Sequence, residues 1–205
     1  MRSGVTFGVP MAASESRRAE DRSADSQLML RVAEGNDAAY ALLVDRYLPR
    51  IMRLVMRMVG NGSDADDITQ DVFLRLWLHA RRWRPEKALV STWLYRIAIN
   101  RCIDHRRRRW FMPLESAGPI EDPSPGAEAA IFEDERCRLI ANAVQRLPAR
   151  QRAALVLCYY EAMSTTEAAA ALALSPSAVE SLLVRARRGL RAQLEPLNSN
   201  DRESR

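Results

Sequence analysis

A stretch rich in proline, glycine and acidic residues divides the chain and limits how it can fold. Between residues 111 and 130 the helix-breaking residues are Pro113, Gly118, Pro119, Pro123, Pro125 and Gly126. The acidic residues of the stretch are Glu115, Glu121, Asp122 and Glu128. This composition predicts a flexible acidic linker without stable secondary structure. Because helical apolar spacing lies on both sides, we predict an all-α protein with two small helical domains, at residues 25–110 and 131–197.

The two ends of the chain lack periodic apolar residues. Residues 1–24 are rich in Ser, Arg, Ala and Glu, which predicts a disordered tail, and residues 198–205 form a second tail. No run is long and apolar enough to span a membrane, and the first residues have no apolar core of a signal peptide. We therefore expect a cytoplasmic protein without membrane insertion.

Charge and cysteine usage restrict the function class. The formal net charge is +5 and Lys87 is the only lysine, a balance that favours polyanionic partners weakly. The cysteines Cys102, Cys137 and Cys158 have no metal-binding spacing, and only His79 and His105 could join them. The cysteines thus predict a reduced intracellular protein with no metal site. We expect no cofactor and no catalytic residue, because the carboxylates of the chain have no visible histidine partner or apolar pocket.

The segment from Ser91 to Trp110, STWLYRIAINRCIDHRRRRW, predicts one helix with two unlike faces. Its core-facing stripe consists of Tyr95, Ala98, Ile99, Cys102 and Ile103. Its polar side carries Arg96, Asn100, Asp104, Arg107 and Arg108, with Trp93 and Ile97 among them. Ser91 or Thr92 is expected to cap the helix. Arginine binds phosphate, asparagine pairs with adenine and tryptophan stacks on unpaired bases, so the pattern favours nucleic-acid binding. A solvated basic helix with Trp93 in the core is the alternative.

The preceding part of this domain predicts three more helices. The first starts near Asp25 and turns at Gly35-Asn36, and the second runs from Asp37 to Gly60 with a kink or break at Pro49. Ser63 or Asp64 caps the third, whose core stripe is Ile68, Val72 and Leu76. Its second face combines Asp67, Gln70, Asp71, Leu74 and Leu78, which is typical of protein docking. Acidic residues that favour the helix dipole are the alternative explanation.

A loop joins the third helix to the basic helix. It spans Arg82 to Leu89, and Pro85 breaks the helical pattern. With its arginine, tryptophan and lysine beside the basic helix, the loop is suited to hold a flipped base. A surface connection with one buried tryptophan fits the same residues.

The second domain ends in a helix-turn-helix pattern. Ser164 to Glu167 forms a capping box before a short alanine-rich helix, and Ser175-Pro176 opens the last helix. The apolar side of that helix carries Val179, Leu182, Leu183, Ala186 and Leu190. Its outward side carries Ser177, Glu180, Ser181, Arg185 and Arg188. This pattern favours duplex DNA binding, with an ordinary helical bundle as the alternative.

Four motifs together resemble the extracytoplasmic-function sigma factors, the minimal two-domain bacterial type. They are DADDITQDVF (Asp64 to Phe73), STWLYRIAINRCIDHRRR (Ser91 to Arg108), LPARQRAALVL (Leu147 to Leu157) and SPSAVESLLVRARRGLR (Ser175 to Arg191). The resemblance covers about residues 25–194. It implies a sigma factor that binds core RNA polymerase, recognises the −10 and −35 promoter elements and initiates transcription, under control by an anti-sigma factor in a stress or envelope response.

The resemblance also implies roles for individual residues. Those expected to bind core polymerase are Asp67, Gln70, Asp71 and Leu74. Those expected at the −10 element are Arg82, Lys87, Trp93, Asn100, Arg101, Asp104, Arg107 and Arg108. Those expected at the −35 element are Ser175, Ser177, Ala178, Glu180, Ser181, Arg185 and Arg188.

Two departures from the family pattern concern the helix-turn-helix. Glu180 and Leu182 stand where the family commonly has basic residues, which changes the expected −35 preference. Alanines at 168–171 stand where larger apolar residues are usual, which predicts tighter or less stable packing.

Two other functions remain open at this stage. A stand-alone helix-turn-helix regulator would bind duplex promoter DNA without polymerase and would have an effector pocket. A nuclease or strand-transfer enzyme would cleave DNA with metal dependence or through a covalent intermediate.

Overall fold

The structure is a computed structural model that describes the backbone of residues 11–111 and 128–203. Residues 1–10, 204–205 and most of the expected linker, 112–127, lie outside the described residues. Over the described ranges the chain forms eight α-helices and no β-strand, which confirms the all-α prediction.

The first domain contains four helices. They are α1 (Met11–Ala33), α2 (Asp37–Val59), α3 (Gly62–His79) and α4 (Val90–Phe111), with a 3₁₀ turn at Ala80–Arg82 between the last two. The predicted core stripe of α3, Ile68, Val72 and Leu76, is buried. So are Tyr95, Ala98, Ile99 and Cys102 on α4. The apolar spacing in the sequence therefore identified the faces on which these helices pack.

The buried carboxylate of Asp25 joins α1 to α2. Asp25 accepts a hydrogen bond from the Tyr47 hydroxyl and pairs with the Arg46 guanidinium. Burial, followed by the neighbouring Asp25 carboxylate, raises the pKa of Tyr47 above its ordinary value. The tyrosine thus stays protonated and keeps donating to the carboxylate.

Several predicted helix boundaries are wrong. α1 begins at Met11, so the predicted disordered tail is helical over residues 11–24, where Ala, Glu and Arg favour helix. α2 continues through Pro49, because its neighbours Tyr47 and Ile51 are buried and hold the helix on both sides. The cap of α3 is Asn61, whose side chain accepts from the Asp64 amide, rather than Ser63 or Asp64.

The start of α4 and its loop also differ from expectation. α4 begins at Val90, so Ser91 and Thr92 lie inside the helix and do not cap it. In the loop, Trp83 is buried and its indole nitrogen donates to the Ala88 carbonyl at 3.0 Å. The buried-tryptophan alternative is therefore correct for this loop, and the Trp83 ring is not available for stacking.

The second domain contains the other four helices. They are α5 (Glu128–Arg146), α6 (Ala149–Leu155), α7 (Thr165–Leu172) and α8 (Pro176–Glu203), with a π-helical turn at Val156–Tyr160 after α6. The predicted capping box is present, since Ser164 and Glu167 bond reciprocally at the start of α7. α5 begins inside the expected linker, and α8 extends past the expected domain end at residue 197 into the predicted tail.

The two domains pack against each other around a shared apolar core. Buried residues of α2 and α4 belong to the same cluster as Val156, Leu157 and the α7 alanines Ala168, Ala169 and Ala171. α7 contacts α4 directly. The small α7 side chains noted as a family departure thus let the backbones of α7 and α4 approach closely.

The fully buried Arg152 forms hydrogen bonds at the boundary between the domains. The Arg152 guanidinium donates to the Val144 carbonyl at 3.0 Å and to the Leu147 carbonyl at 3.1 Å, and it also bonds Gln145 and the Met58 carbonyl of α2. The last carbonyls of a helix have no partner within the helix, so Arg152 caps α5 and α2 together. Burial, with Arg106 nearby, lowers the pKa of Arg152 to about 10, which still leaves it charged at neutral pH.

Further side-chain bonds also join the domains. The Gln145 amide donates to the Arg57 carbonyl at 2.8 Å, and the Tyr95 hydroxyl donates to the Glu161 carboxylate at 2.8 Å. In addition, the Arg57 guanidinium lies 4.4 Å from the Tyr160 ring centre. The boundary is thus apolar at its centre and hydrogen-bonded around it.

Among the described helices, none alone has both the length and the apolarity to cross a membrane. The α7–α8 pair passes that test only when its two helices are added together, and these meet at 99°.

Candidate functional site

The residues expected to bind polymerase lie along α3, and we refer to Asp67, Gln70, Asp71 and Leu74 as the docking face. Asp67 and Gln70 are exposed, and Leu74 is 53% exposed. Asp71 differs because it is half-buried and turned towards α4. Three of the four side chains are thus accessible to a partner.

An apolar groove of about 410 Å³ runs between α2 and α3 beside the docking face. Its lining residues are Tyr40, Val44, Leu48, Met52, Asp66, Thr69, Gln70, Phe73 and Leu74. Tyr40 packs edge-on against Trp77, with ring centres 5.2 Å apart. Exposed apolar side chains beside carboxylates suit the side of a partner helix that is apolar with basic flanks.

The residues expected at the −10 element converge on a second cavity, which we call the α4 cavity. It has a volume of about 380 Å³ and opens between the end of α3, the 3₁₀ turn and α4. Five expected residues line it: Arg82, Trp93, Asn100, Arg101 and Asp104. Trp93 is half-buried, so one part of the ring packs while another remains accessible.

Sequence reasoning left four lining residues of the α4 cavity out of the site: Arg75, His79, Arg96 and Ile97. Arg96 and Ile97 were visible on the polar side of α4, and their helical spacing from Asn100 and Arg101 was the available signal. Arg75 and His79 come from the end of α3, and only the packing of α3 on α4 brings them in. The remaining expected residues, Lys87, Arg107 and Arg108, are exposed but lie outside the cavity lining.

A series of ion pairs connects the docking face to the α4 cavity. Asp71 accepts two hydrogen bonds from Arg75 Nε, at 3.0 and 3.1 Å, and pairs with Arg101 of α4. The Arg101 Nη1 atom lies 4.0 Å from Asp104. The two arginines are therefore held by carboxylates at the cavity wall.

The residues expected at the −35 element lie at the start and along one side of α8, and we call this set the recognition face. Its exposed members are Ser175, Ser177, Glu180, Ser181, Arg185 and Arg188, while Ala178 is half-buried. The Ala178 amide donates to the Ser175 hydroxyl at 3.2 Å, which caps the helix as predicted. Leu182, which stands where the family commonly has a basic residue, is partly buried and packs against the shared core.

Comparison with known proteins identifies the family. Sigma-70 region 2 matches residues 43–112, and Sigma-70 region 4 matches residues 137–190. The chain belongs to the extracytoplasmic-function sigma factors. It is 32% identical to RNA polymerase sigma-H factor of Pseudomonas aeruginosa over 84% of this chain and 95% of that protein. It is likewise 32% identical to the ECF sigma factor SigW of Bacillus subtilis over 82% of this chain and 95% of SigW.

The fold also matches a solved sigma-factor structure. This is CnrH of Cupriavidus metallidurans in complex with the cytosolic domain of CnrY, with 30% identity, a TM-score of 0.64, and coverage of 84% of this chain and 98% of that chain. The sigma factor described here therefore initiates transcription by binding core RNA polymerase and promoter DNA. The family therefore favours the sigma-factor prediction over the stand-alone regulator and the nuclease.

Proposed function

We propose that this sigma factor divides promoter recognition among three surfaces. The docking face binds core polymerase, the α4 cavity with its loop holds the −10 strand, and the recognition face reads the −35 element in duplex DNA. The observation that carries the proposal is the α4 cavity, where guanidinium groups, an amide and a half-exposed indole converge. Those groups bind phosphate, hydrogen-bond a base and stack on it.

Each of the two DNA-binding surfaces fits a different form of promoter DNA. A strand separated from its complement exposes base faces, which a cavity with an aromatic wall can hold. A helix with serines and arginines along one exposed side suits the major groove of intact duplex. Polymerase supplies the chemistry of RNA synthesis, so the chain itself acts as a cytoplasmic binding protein rather than an enzyme.

The packed arrangement of the domains is the resting form in this proposal. The −10 and −35 elements lie about 25 base pairs apart, or about 85 Å along the duplex at about 3.4 Å per base pair. In the packed structure the two DNA-binding parts lie next to each other, because α7 contacts α4 and α7 and α8 form one helix-turn-helix. The domains therefore separate before both elements are read, and a regulatory partner can hold them together. CnrH, solved with the cytosolic domain of CnrY, supplies the analogy for an anti-sigma partner.

A run-off transcription assay tests the proposal. Purified protein is added to sigma-free bacterial core polymerase on genomic promoter fragments, and we expect defined start sites that appear only with the protein. Failure to form a complex with core polymerase would refute the docking assignment. Formation of a complex that starts transcription on all fragments without sequence preference would refute the promoter-reading surfaces.

Point variants assign the surfaces separately. Asp67→Lys should lower polymerase affinity, whereas Glu34→Lys, an equal charge change in the α1–α2 turn, should not. Arg185→Ala should reduce the slope of log affinity against log salt by about one on −35 duplex. Arg150→Ala, an exposed arginine of α6, is the matched control and should leave the slope unchanged.

A further inference from the structure

Asp71 lies between two surfaces that the proposed function keeps separate. It sits one turn after Asp67 on α3, yet its side chain is only 28% exposed and points towards α4. Its partners, Arg75 of α3 and Arg101 of α4, both line the α4 cavity. The contacts of this carboxylate therefore belong to the DNA-binding side of the domain.

The pairing constrains how Arg101 presents its guanidinium. Asp71 forms an ion pair with Arg101 at Nε, an atom that is shielded from solvent and makes no hydrogen bond of ordinary geometry. Because the charge contact is at Nε, the two terminal nitrogens of the planar guanidinium lie on the side away from Asp71. Asp104 lies 4.0 Å from Nη1 on the other side. Arg101 is thus placed by one carboxylate on each side, within the cavity wall.

The positive charge of the α4 cavity makes the orientation of Arg101 important. Arg75, Arg82, Arg96 and Arg101 all line the same space, so without a nearby anion they would repel one another and adopt many orientations. A mobile arginine binds any phosphate, whereas a fixed one favours the strand whose geometry matches it.

We propose that Asp71 is a positioning residue for −10 recognition, which holds Arg101 in the orientation that distinguishes the cognate strand from other strands. The inference rests on the proposed role of the α4 cavity in binding the −10 strand. It adds a role to a residue that the family resemblance assigns to polymerase docking. A carboxylate shared in this way connects the polymerase-facing helix to the DNA-facing helix.

The test measures strand discrimination in preassembled holoenzyme with core polymerase in saturating amount, so that any change in docking affinity is removed. The probes are a fluorescent single strand carrying the cognate −10 sequence, defined by the run-off assay, and a scrambled strand of equal length. Asp71→Asn keeps the size of the side chain but removes its charge. We expect it to lower the ratio of cognate to scrambled affinity about tenfold, with scrambled-strand affinity equal or higher, because the cavity becomes more positive.

Matched variants separate positioning from other effects. Asp45→Asn, the same change at an exposed position of α2 outside the described surfaces, should leave strand discrimination unchanged. Arg101→Gln should lower discrimination, and adding Asp71→Asn to it should lower discrimination no further, because the two residues act as a unit. Arg101→Lys keeps the positive charge but has no Nε to fix, so it should lose discrimination as Arg101→Gln does, and it serves as the test if Asp71→Asn fails to fold.

The outcomes are distinct. Full discrimination by Asp71→Asn or by Arg101→Lys, or additive losses in the double variant, would overturn the positioning role. Absence of discrimination in the wild-type holoenzyme would instead refute the proposed role of the α4 cavity itself.

Discussion

Replacing Gly60 by alanine probes whether the two domains pack against each other in solution. Gly60 ends α2 with a φ of 77°, in the left-handed region that disfavours residues with a Cβ. A Cβ there would lie 2.7 Å from Cδ and 3.0 Å from Nε2 of Gln145, which belongs to the second domain. The same Gln145 donates across the boundary to the Arg57 carbonyl. Gly60→Ala should therefore strain α2 and displace a bond between domains.

Gly35 supplies a control for the backbone strain alone. Its φ is 88°, similar to that of Gly60, and a Cβ added there meets no atom within 4 Å. We expect Gly35→Ala to lower the free energy of unfolding by about 1 kcal/mol. The cost of placing alanine in the left-handed region is partly offset, because alanine also reduces the conformational entropy of the unfolded chain. Gly60→Ala should cost about 2 kcal/mol, because the Gln145 hydrogen bond contributes about 1 kcal/mol more.

Urea denaturation followed by tryptophan fluorescence measures both variants. All four tryptophans precede the linker, so the signal reports on the first domain, to which Gly60 and Gly35 belong. In a Gln145→Ala background the added cost of Gly60→Ala should vanish, leaving a penalty equal to that of Gly35→Ala. Equal penalties for the two glycine variants in the wild-type background would refute the packing of Gln145 on Gly60, and with it this contact between the domains.

Three further predictions concern the second domain and the domain boundary. Ala173→Gly should raise the free energy of unfolding by about 1 kcal/mol in urea denaturation, because Ala173 ends α7 with a φ of 53°; a loss of stability would contradict that strain. Iodoacetamide at pH 8 should modify exposed Cys137 in the folded protein and spare Cys102, whose burial raises the pKa of its thiol to about 12, as peptide mass spectrometry would show. Tyr95→Phe should cost about 1 kcal/mol at pH 7 by losing the bond to Glu161. Burial raises the pKa of Tyr95, so the folded state keeps its proton after the unfolded chain has lost it, and wild-type stability should fall as pH rises above about 10. The phenylalanine variant should show a shallower fall, and an equal slope would contradict this assignment.

The helices and their packing faces were predictable because they depend on local patterns. Apolar spacing placed Ile68, Val72 and Leu76 on the core side of α3, and the capping box at Ser164 fixed the start of α7. Each signal lies within a few residues of the structure it specifies. The exposed side of α8 followed in the same way, once its buried side was known.

Helix boundaries, and contacts between residues far apart in the chain, were harder to predict from the sequence. Pro49 predicted a break in α2, but packing on both sides of it outweighs the lost backbone bond. The role of Arg152 was not predicted, because it depends on how the chain turns after α5 and on the Met58 carbonyl at the end of α2, which is far away along the chain. Asp71 was assigned to the docking face by its position on α3, whereas the approach of α4 decides where its side chain points.

The bonding of Arg152 has a consequence for reversibility. Its acceptors on Val144, Gln145 and Leu147 belong to its own domain, and only the Met58 carbonyl belongs to the other. In the domain separation proposed above, the guanidinium keeps its bonds to Val144, Gln145 and Leu147, and water can replace the bond to Met58. Opening of this kind leaves no buried charge without hydrogen-bond partners, so we expect it to be reversible without misfolding or aggregation.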